Sequence, residues 1–166
     1  MKFVSIIMGS KSDFECVNEC AKILESLEIP YEMIVSSAHR SPQRTVDYVK
    51  EAEKNGAVVF ICAAGMAAHL AGAVAANTIK PVIGIPVGGG SLNGVDALYS
   101  TVQMPAGMPV ATLAIGRSGA KNAGFLAVQI LAIEDKNLAN KLLEIRQNDI
   151  KKIEEDSKNI EVRLKI

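Results

Sequence analysis

Apolar positions in this chain gather into five short runs, FVSIIM (3–8), EMIVSS (32–37), AVVFICA (57–63), PVIGIPV (81–87) and PVATLAI (109–115). Each is rich in Val and Ile on successive residues, the pattern of strands covered on both faces in a parallel sheet. Between the runs lie segments of helical length, near 13–27, 42–55, 67–78, 94–102 and 118–133. Ser41-Pro42 reads as a cap followed by a first helical residue, and Ser12-x-x-Glu15 as a capping box. Strands alternating with helices predict an α/β fold, a three-layer α/β/α sandwich joined by right-handed crossovers. The expected strand order of the five-stranded parallel sheet is the flavodoxin-like 2-1-3-4-5.

The segment 136–166 breaks the rhythm: it is dense in Lys, Glu, Asp and Asn, with apolar residues at Leu138, Leu142, Ile145, Ile150 and Ile153. It reads as an amphipathic helix fraying toward Ile166, lying on its own chain or on a neighbouring subunit. The organisation expected is therefore a single α/β domain over 1–166 with an appended C-terminal helical segment over 136–166.

Composition narrows the function. With 18 basic and 18 acidic residues, the chain has no net field to attract nucleic acid or an anionic membrane, so an anion would need a local site. Aromatic residues, 4% of the chain, are too few for base-stacking platforms. The most apolar stretch, 57–76, is interrupted by Gly65, His69 and Gly72 and does not read as a membrane span. Three cysteines, an odd number, with no leader pattern before the first run point to a reducing cytoplasm. Cys16 and Cys20 share a helix face without further ligands, so all three read as small apolar packers and no metal site is expected.

In doubly wound sheets ligands bind beyond the carboxyl ends of the strands, at the switch point. For order 2-1-3 the loops there are GSKSD (9–13), SSAHRS (36–41) and AAGMAAH (63–69), and both histidines of the chain fall within them. GSKSD opens a helix whose free N–H groups can face an anion; Ser10 is the expected ligand donor, Ser12 mainly the cap, and Asp13 an acceptor for sugar hydroxyls. His39 is either a solvated loop residue or a group that takes up and returns a proton, and Arg40 beside it stays charged and pairs with phosphate or carboxylate. His69 is either a packed histidine or a substrate contact, and Gly65 a close-approach glycine. GGGSLNGVD (88–96) is a connector or a lid, and Met104, Pro105, Met108 and Pro109 form a rigid apolar segment beside the site or between subunits.

Taken together, GSKSD, SAHR, AAHL, GVDALYSTVQMP and VATLAIG, in this order and at these spacings, closely resemble the N5-carboxyaminoimidazole ribonucleotide mutases of bacterial purine synthesis. The likeness covers the chain up to about residue 133. It implies an isomerase that moves a carboxylate from the exocyclic nitrogen of a ribonucleotide to carbon 4 of its imidazole, without metal, biotin, ATP or other cofactor, in the cytoplasm and as a homo-octamer. By the same resemblance, Ser10, Ser12 and Asp13 bind the ribose phosphate portion, Ser37 and Arg40 contact phosphate, and His39 is the general acid/base. Gly65 and His69 line the carboxylate and imidazole pocket. Gly9, Ala38, Ala64 and Leu70, from the same motifs, complete the expected substrate-binding set. The chain departs from the family pattern at Met66 and Ala71, where Gly and Pro are usual, and in its glycine-rich 88–94 loop. Two rivals stay open. A class II relative, a carboxylase of similar fold, typically carries Lys after the histidine; a flavodoxin-like binding or regulatory module would need flavin-stacking aromatics.

Overall fold

The computed structural model describes residues 1–165. Five strands, β1 (Phe3–Met8), β2 (Tyr31–Val35), β3 (Ala57–Gly65), β4 (Val82–Val87) and β5 (Ala111–Thr112), form one sheet in the order 2-1-3-4-5, every pairing parallel. The expected α/β fold and strand order are both found. The helices are α1 (Phe14–Ser26), α2 (Pro42–Asn55), α3 (Leu70–Ala75), α4 (Val95–Val102), α5 (Arg117–Ala132) and α6 (Lys136–Ile160). The chain divides into two compact units, Met1–Val128 and Gln129–Ile166, with the boundary inside α5.

Within the first unit, β1 and β4 are buried at every position, as runs apolar on both faces require. Edge strand β2 is half-exposed. Ser5, fully enclosed in β1, is satisfied by the Tyr48 hydroxyl at 2.9 Å, which in turn donates to Glu32 Oε2 at 3.2 Å; burial pushes the Tyr48 phenol up to about 12. Cys20 and Cys62 are buried thiols pushed upward by desolvation, Cys20 to about 12, consistent with apolar packing.

Element ends differ from the sequence reading in ways that shape the site. β5 is two residues long instead of the seven-residue run 109–115, and beyond its C-terminal end Pro86 faces the chain with a carbonyl and no N–H. The chain still bonds to β4 through Leu113 N–H to Gly84 O (3.0 Å) and Gly116 N–H to Pro86 O (2.9 Å), but the reciprocal ladder cannot close. β3 runs two residues further than expected, carried by pairing of Ala64 with Pro86 and Gly65 with Val87. The helix expected at 67–78 is shorter at both ends: the chain leaves β3 through Met66, with a left-handed φ of 56°, and helical geometry runs only from Leu70 to Ala75.

In the second unit, α6 is the amphipathic helix expected, capped by Asp135, whose carboxylate accepts from the N–H groups of Asn137 (2.9 Å) and Leu138 (3.1 Å). It ends at Ile160, before the Ile166 toward which fraying was expected; Ile166 itself lies outside the described residues. Among the described residues, no helix is long and apolar enough to cross a membrane.

Candidate active site

The loops leaving β1, β2 and β3 meet at one end of the sheet around a cleft of about 670 Å³. The β1 loop brings Gly9, Ser10, Ser12 and Asp13, the β2 loop Ser37, Ala38, His39 and Arg40, and the β3 loop Ala64, Gly65, His69 and Leu70. The structure thus brings all twelve residues singled out in the sequence to one lining. It adds Met66, Ala67, Val87 and the glycines Gly88, Gly89 and Gly90. Met104, Pro105, Met108 and Pro109 are not part of that lining; Met104 packs against Gly72 in α3, and Met108 against the hydrophobic core.

The β1 loop corrects an expectation. A single 3-10 turn, Lys11–Asp13, precedes α1, so the cap is Ser10 rather than Ser12. Ser10 Oγ accepts the Ser12 N–H at 3.3 Å, while Asp13 Oδ2 accepts the Ser10 N–H at 3.0 Å; the capping box is Ser10–Asp13, displaced from the Ser12–Glu15 pair. The Ser12 hydroxyl donates to Ser10 Oγ at 3.0 Å. Asp13 is nearly enclosed at 7% exposure, and burial holds its carboxyl above the ordinary range, opposed by the Ser10 N–H, the Ser12 hydroxyl and the charge of Arg40.

The β2 loop closes on itself. Ser41 sits at the cap position before Pro42, yet its hydroxyl does not cap α2. Instead Ser41 Oγ accepts the Ser37 N–H at 3.0 Å and donates to Ser37 O at 3.1 Å, and the Ser41 N–H donates to the same carbonyl at 2.8 Å. The Arg40 N–H donates to Ser37 Oγ at 3.1 Å. Beneath, the buried hydroxyls of Ser36 and Thr45 bond at 2.8 Å, and the Ser36 N–H donates to Met8 O at 2.9 Å, tying the loop to β1. Between these clasps stand His39 and Arg40. The Arg40 guanidinium reaches across to Gly9 O at 3.4 Å, linking the β2 and β1 loops.

His39 Nε2 and His69 Nδ1 are 2.8 Å apart, with ring planes at 89° and centroids 4.9 Å apart. In that bond one nitrogen carries the proton and the other a lone pair, so each ring fixes the tautomer of the other. The arrangement gives the cleft a linked pair of proton-transfer groups, a fixed cation and several hydroxyl and N–H donors. Those are the parts needed to hold an anionic polyol phosphate and move protons beside it. Among the described residues, no group of three or more His, Cys, Asp or Glu side chains is placed to hold a metal ion.

Known proteins resemble this chain over most of its length. The family model described as AIR carboxylase matches residues 3–152, past the point near residue 133 at which the motif resemblance fades. The chain is 51% identical to the N5-carboxyaminoimidazole ribonucleotide mutase of Haemophilus influenzae over 145 residues, covering 87% of this chain and 88% of that one. It is 51% identical to the enzyme of the same name from Bacillus subtilis over 154 residues, 93% and 95% of the two chains. A crystal structure of Treponema denticola PurE superposes with a TM-score of 0.87 at 29% identity, covering 98% of this chain and all of that one.

Proposed function

Because this chain belongs to the AIR carboxylase family, we propose that it is an isomerase of de novo purine biosynthesis, converting N5-carboxyaminoimidazole ribonucleotide to 4-carboxyaminoimidazole ribonucleotide with His39 as the general acid/base. The observation that carries the reading is the position of His39: bonded to His69, followed by Arg40, and held over a cleft framed by three strand-end loops.

The chemistry divides into two steps with no net change in protons. In the first, the bond between the exocyclic nitrogen and its carboxylate breaks, carbon dioxide leaves, and the electron pair left on nitrogen takes a proton from His39. In the second, carbon 4 of the ring attacks carbon dioxide, and the proton displaced from carbon 4 returns to His39. One imidazole serves as acid and then as base and ends in its starting state, so neither ATP nor a metal is needed for the proton balance. His69 orients the His39 ring through the 2.8 Å bond. A guanidinium is not a proton shuttle, and Arg40 instead holds the substrate phosphate with Ser37 and Ser10, so binding energy from the unreactive end places the ring. Asp13 and Ser12 take the ribose hydroxyls.

The relatives' names decide between mutase and carboxylase, since those at about half identity are mutases although the family model is described by the carboxylase. A homo-octamer and a cytoplasmic setting complete the reading, supported by three unbridged cysteines and by an exposed apolar stripe on α4. Conversion of the carbamate to the carbon-carboxylated product, assayed with chelator present and ATP absent, tests it; no product under those conditions overturns it.

A further inference from the structure

Met66 stands out among the cleft residues. Its φ is 56°, left-handed geometry that an unbranched side chain occupies at a cost and glycine does not, and local stability alone would select glycine here. Met66 is 63% exposed and makes little use of the core, so burial does not repay the strain. It lines the cleft at the end of β3. Across the mouth it meets the glycine loop after β4: a Cβ built on Gly90 would stand 3.8 Å from Met66 Cγ, and Gly90 is itself left-handed, with φ 64°. Strain held at a site rim, with no packing return, is the signature of a functional placement.

We propose that Met66 is the retention residue of the site: its thioether side chain, lining the cleft from the left-handed backbone at the end of β3 and standing beside Gly90, closes the route by which carbon dioxide would escape between the two half-reactions. The inference rests on the mutase reading above. A small, neutral, apolar intermediate is not held by charge or hydrogen bonds, and only an apolar cover and exclusion of water keep it beside carbon 4. Met suits this role, since its unbranched chain adapts in shape to a mouth whose other side is glycine backbone without side chains.

The test supplies unlabelled carbamate substrate with excess labelled bicarbonate and reads the labelled fraction of the carboxylated product at early times, after subtracting an enzyme-free control for carbamate decay. Variants are compared at equal, small extents of conversion with the label already in the carbamate measured alongside, so that slower turnover is not read as loss of retention. For the natural chain the fraction is expected to be low. Met66→Gly, which removes the cover and relieves the backbone, should fold at least as well and raise the labelled fraction at least about fivefold. Met66→Leu, which restores apolar bulk on the same backbone, should return the fraction to within about twofold of the natural chain. Equal, low labelling in the natural chain and Met66→Gly overturns the role of Met66 and leaves the mutase reading intact. Full labelling in the natural chain overturns internal retention itself, and with it this proposal.

Discussion

His39 and His69, thirty residues apart in the chain, share one hydrogen bond of 2.8 Å across the cleft. Only one proton can lie on that line, so protonating both rings breaks the pair and frees the orientation of His39. His39→Asn is expected to lower kcat by about 10²–10⁴-fold while substrate still binds, because an amide hydrogen-bonds but does not shuttle protons. His69→Asn should cost about tenfold in kcat with substrate binding retained, since it removes the orienting ring and not the shuttle. Steady-state kinetics with direct binding measurements separate the two. If His39→Asn turns over normally and His69→Asn does not, the roles are exchanged.

Arg40 is the fixed charge of the site, and its backbone is pinned through Ser37. Arg40→Ala should weaken the phosphorylated substrate by about 1.5–3 kcal/mol, roughly ten- to a hundredfold, because a charge-assisted contact is lost. The unphosphorylated nucleoside should lose much less, since it presents no dianion. Calorimetric titration of both ligands reads the difference; equal losses would remove Arg40 from phosphate binding.

Asp13 allows a stability prediction with a definite sign. Burial raises its carboxyl above the unfolded value, so the folded chain holds the proton more tightly than the unfolded one. The ionised form therefore costs stability above the raised value, and that cost disappears as pH falls through it toward the ordinary carboxylate range. Asp13→Asn keeps an acceptor for the Ser10 N–H and should raise the melting temperature by about 1–3 °C at neutral pH, with the gain shrinking toward about pH 4. Substrate affinity should fall in the same variant. A variant less stable at neutral pH would show that the hydrogen bonds to the carboxylate outweigh its burial.

How much of this was readable beforehand follows from which signals are local. Central strands announce themselves, because β1 and β4 are covered on both faces and carry apolar residues throughout. Strand order then follows from chirality and crossover rules, and it alone brings the three loops to one rim. Length at the sheet edge was not legible, since beyond the C-terminal end of β5 the ladder is interrupted by Pro86, a residue of its neighbour. The cap moved from Ser12 to Ser10 because a 3-10 turn shifts the first free N–H groups by two residues, and Ser and Asp recur often enough in GSKSD to fit either frame. Ser41 sits in the right place for a cap but spends its hydroxyl on Ser37. The His39–His69 bond spans two elements and leaves no spacing signal. Met66 was visible as a departure from a glycine, but its left-handed backbone became meaningful only beside Gly90.

Gly119 tests the packing that carries the sheet edge. A Cβ there would fall on the carbonyl oxygen of Ala114, backbone that has no rotamer with which to yield. Gly119→Ala should therefore destabilise by about 3 kcal/mol, toward the upper end for overpacked sites. In a chain of this length that corresponds to a melting temperature lower by about 10 °C. Gly107→Ala, at a glycine with open space around its missing Cβ but a φ of 90°, should lose less, because only backbone strain opposes it. Thermal denaturation of the pair separates steric overlap from strain, and equal losses would place the effect in the backbone.

The last prediction concerns assembly. On α4, Val95, Tyr99 and Val102 recur at helical spacing and are exposed, and Leu92 precedes them on the same periodicity. Tyr99 is 62% exposed, and an aromatic ring between aliphatic neighbours is the composition of an interface centre rather than of a solvated face. A subunit presenting such a stripe buries it most simply against copies of itself, through closed symmetric contacts. Light scattering should give the natural chain a mass several times the 17.6 kDa of one copy. Val95→Lys with Tyr99→Lys places two charges where both would have to be desolvated, and should lower that mass while circular dichroism stays unchanged. If the double variant keeps the full mass, the interface lies elsewhere, and the exposed Leu143, Ile150 and Ile153 of α6 become the face to charge next. A monodisperse monomer for the natural chain would remove self-association altogether and leave the α4 stripe without a partner.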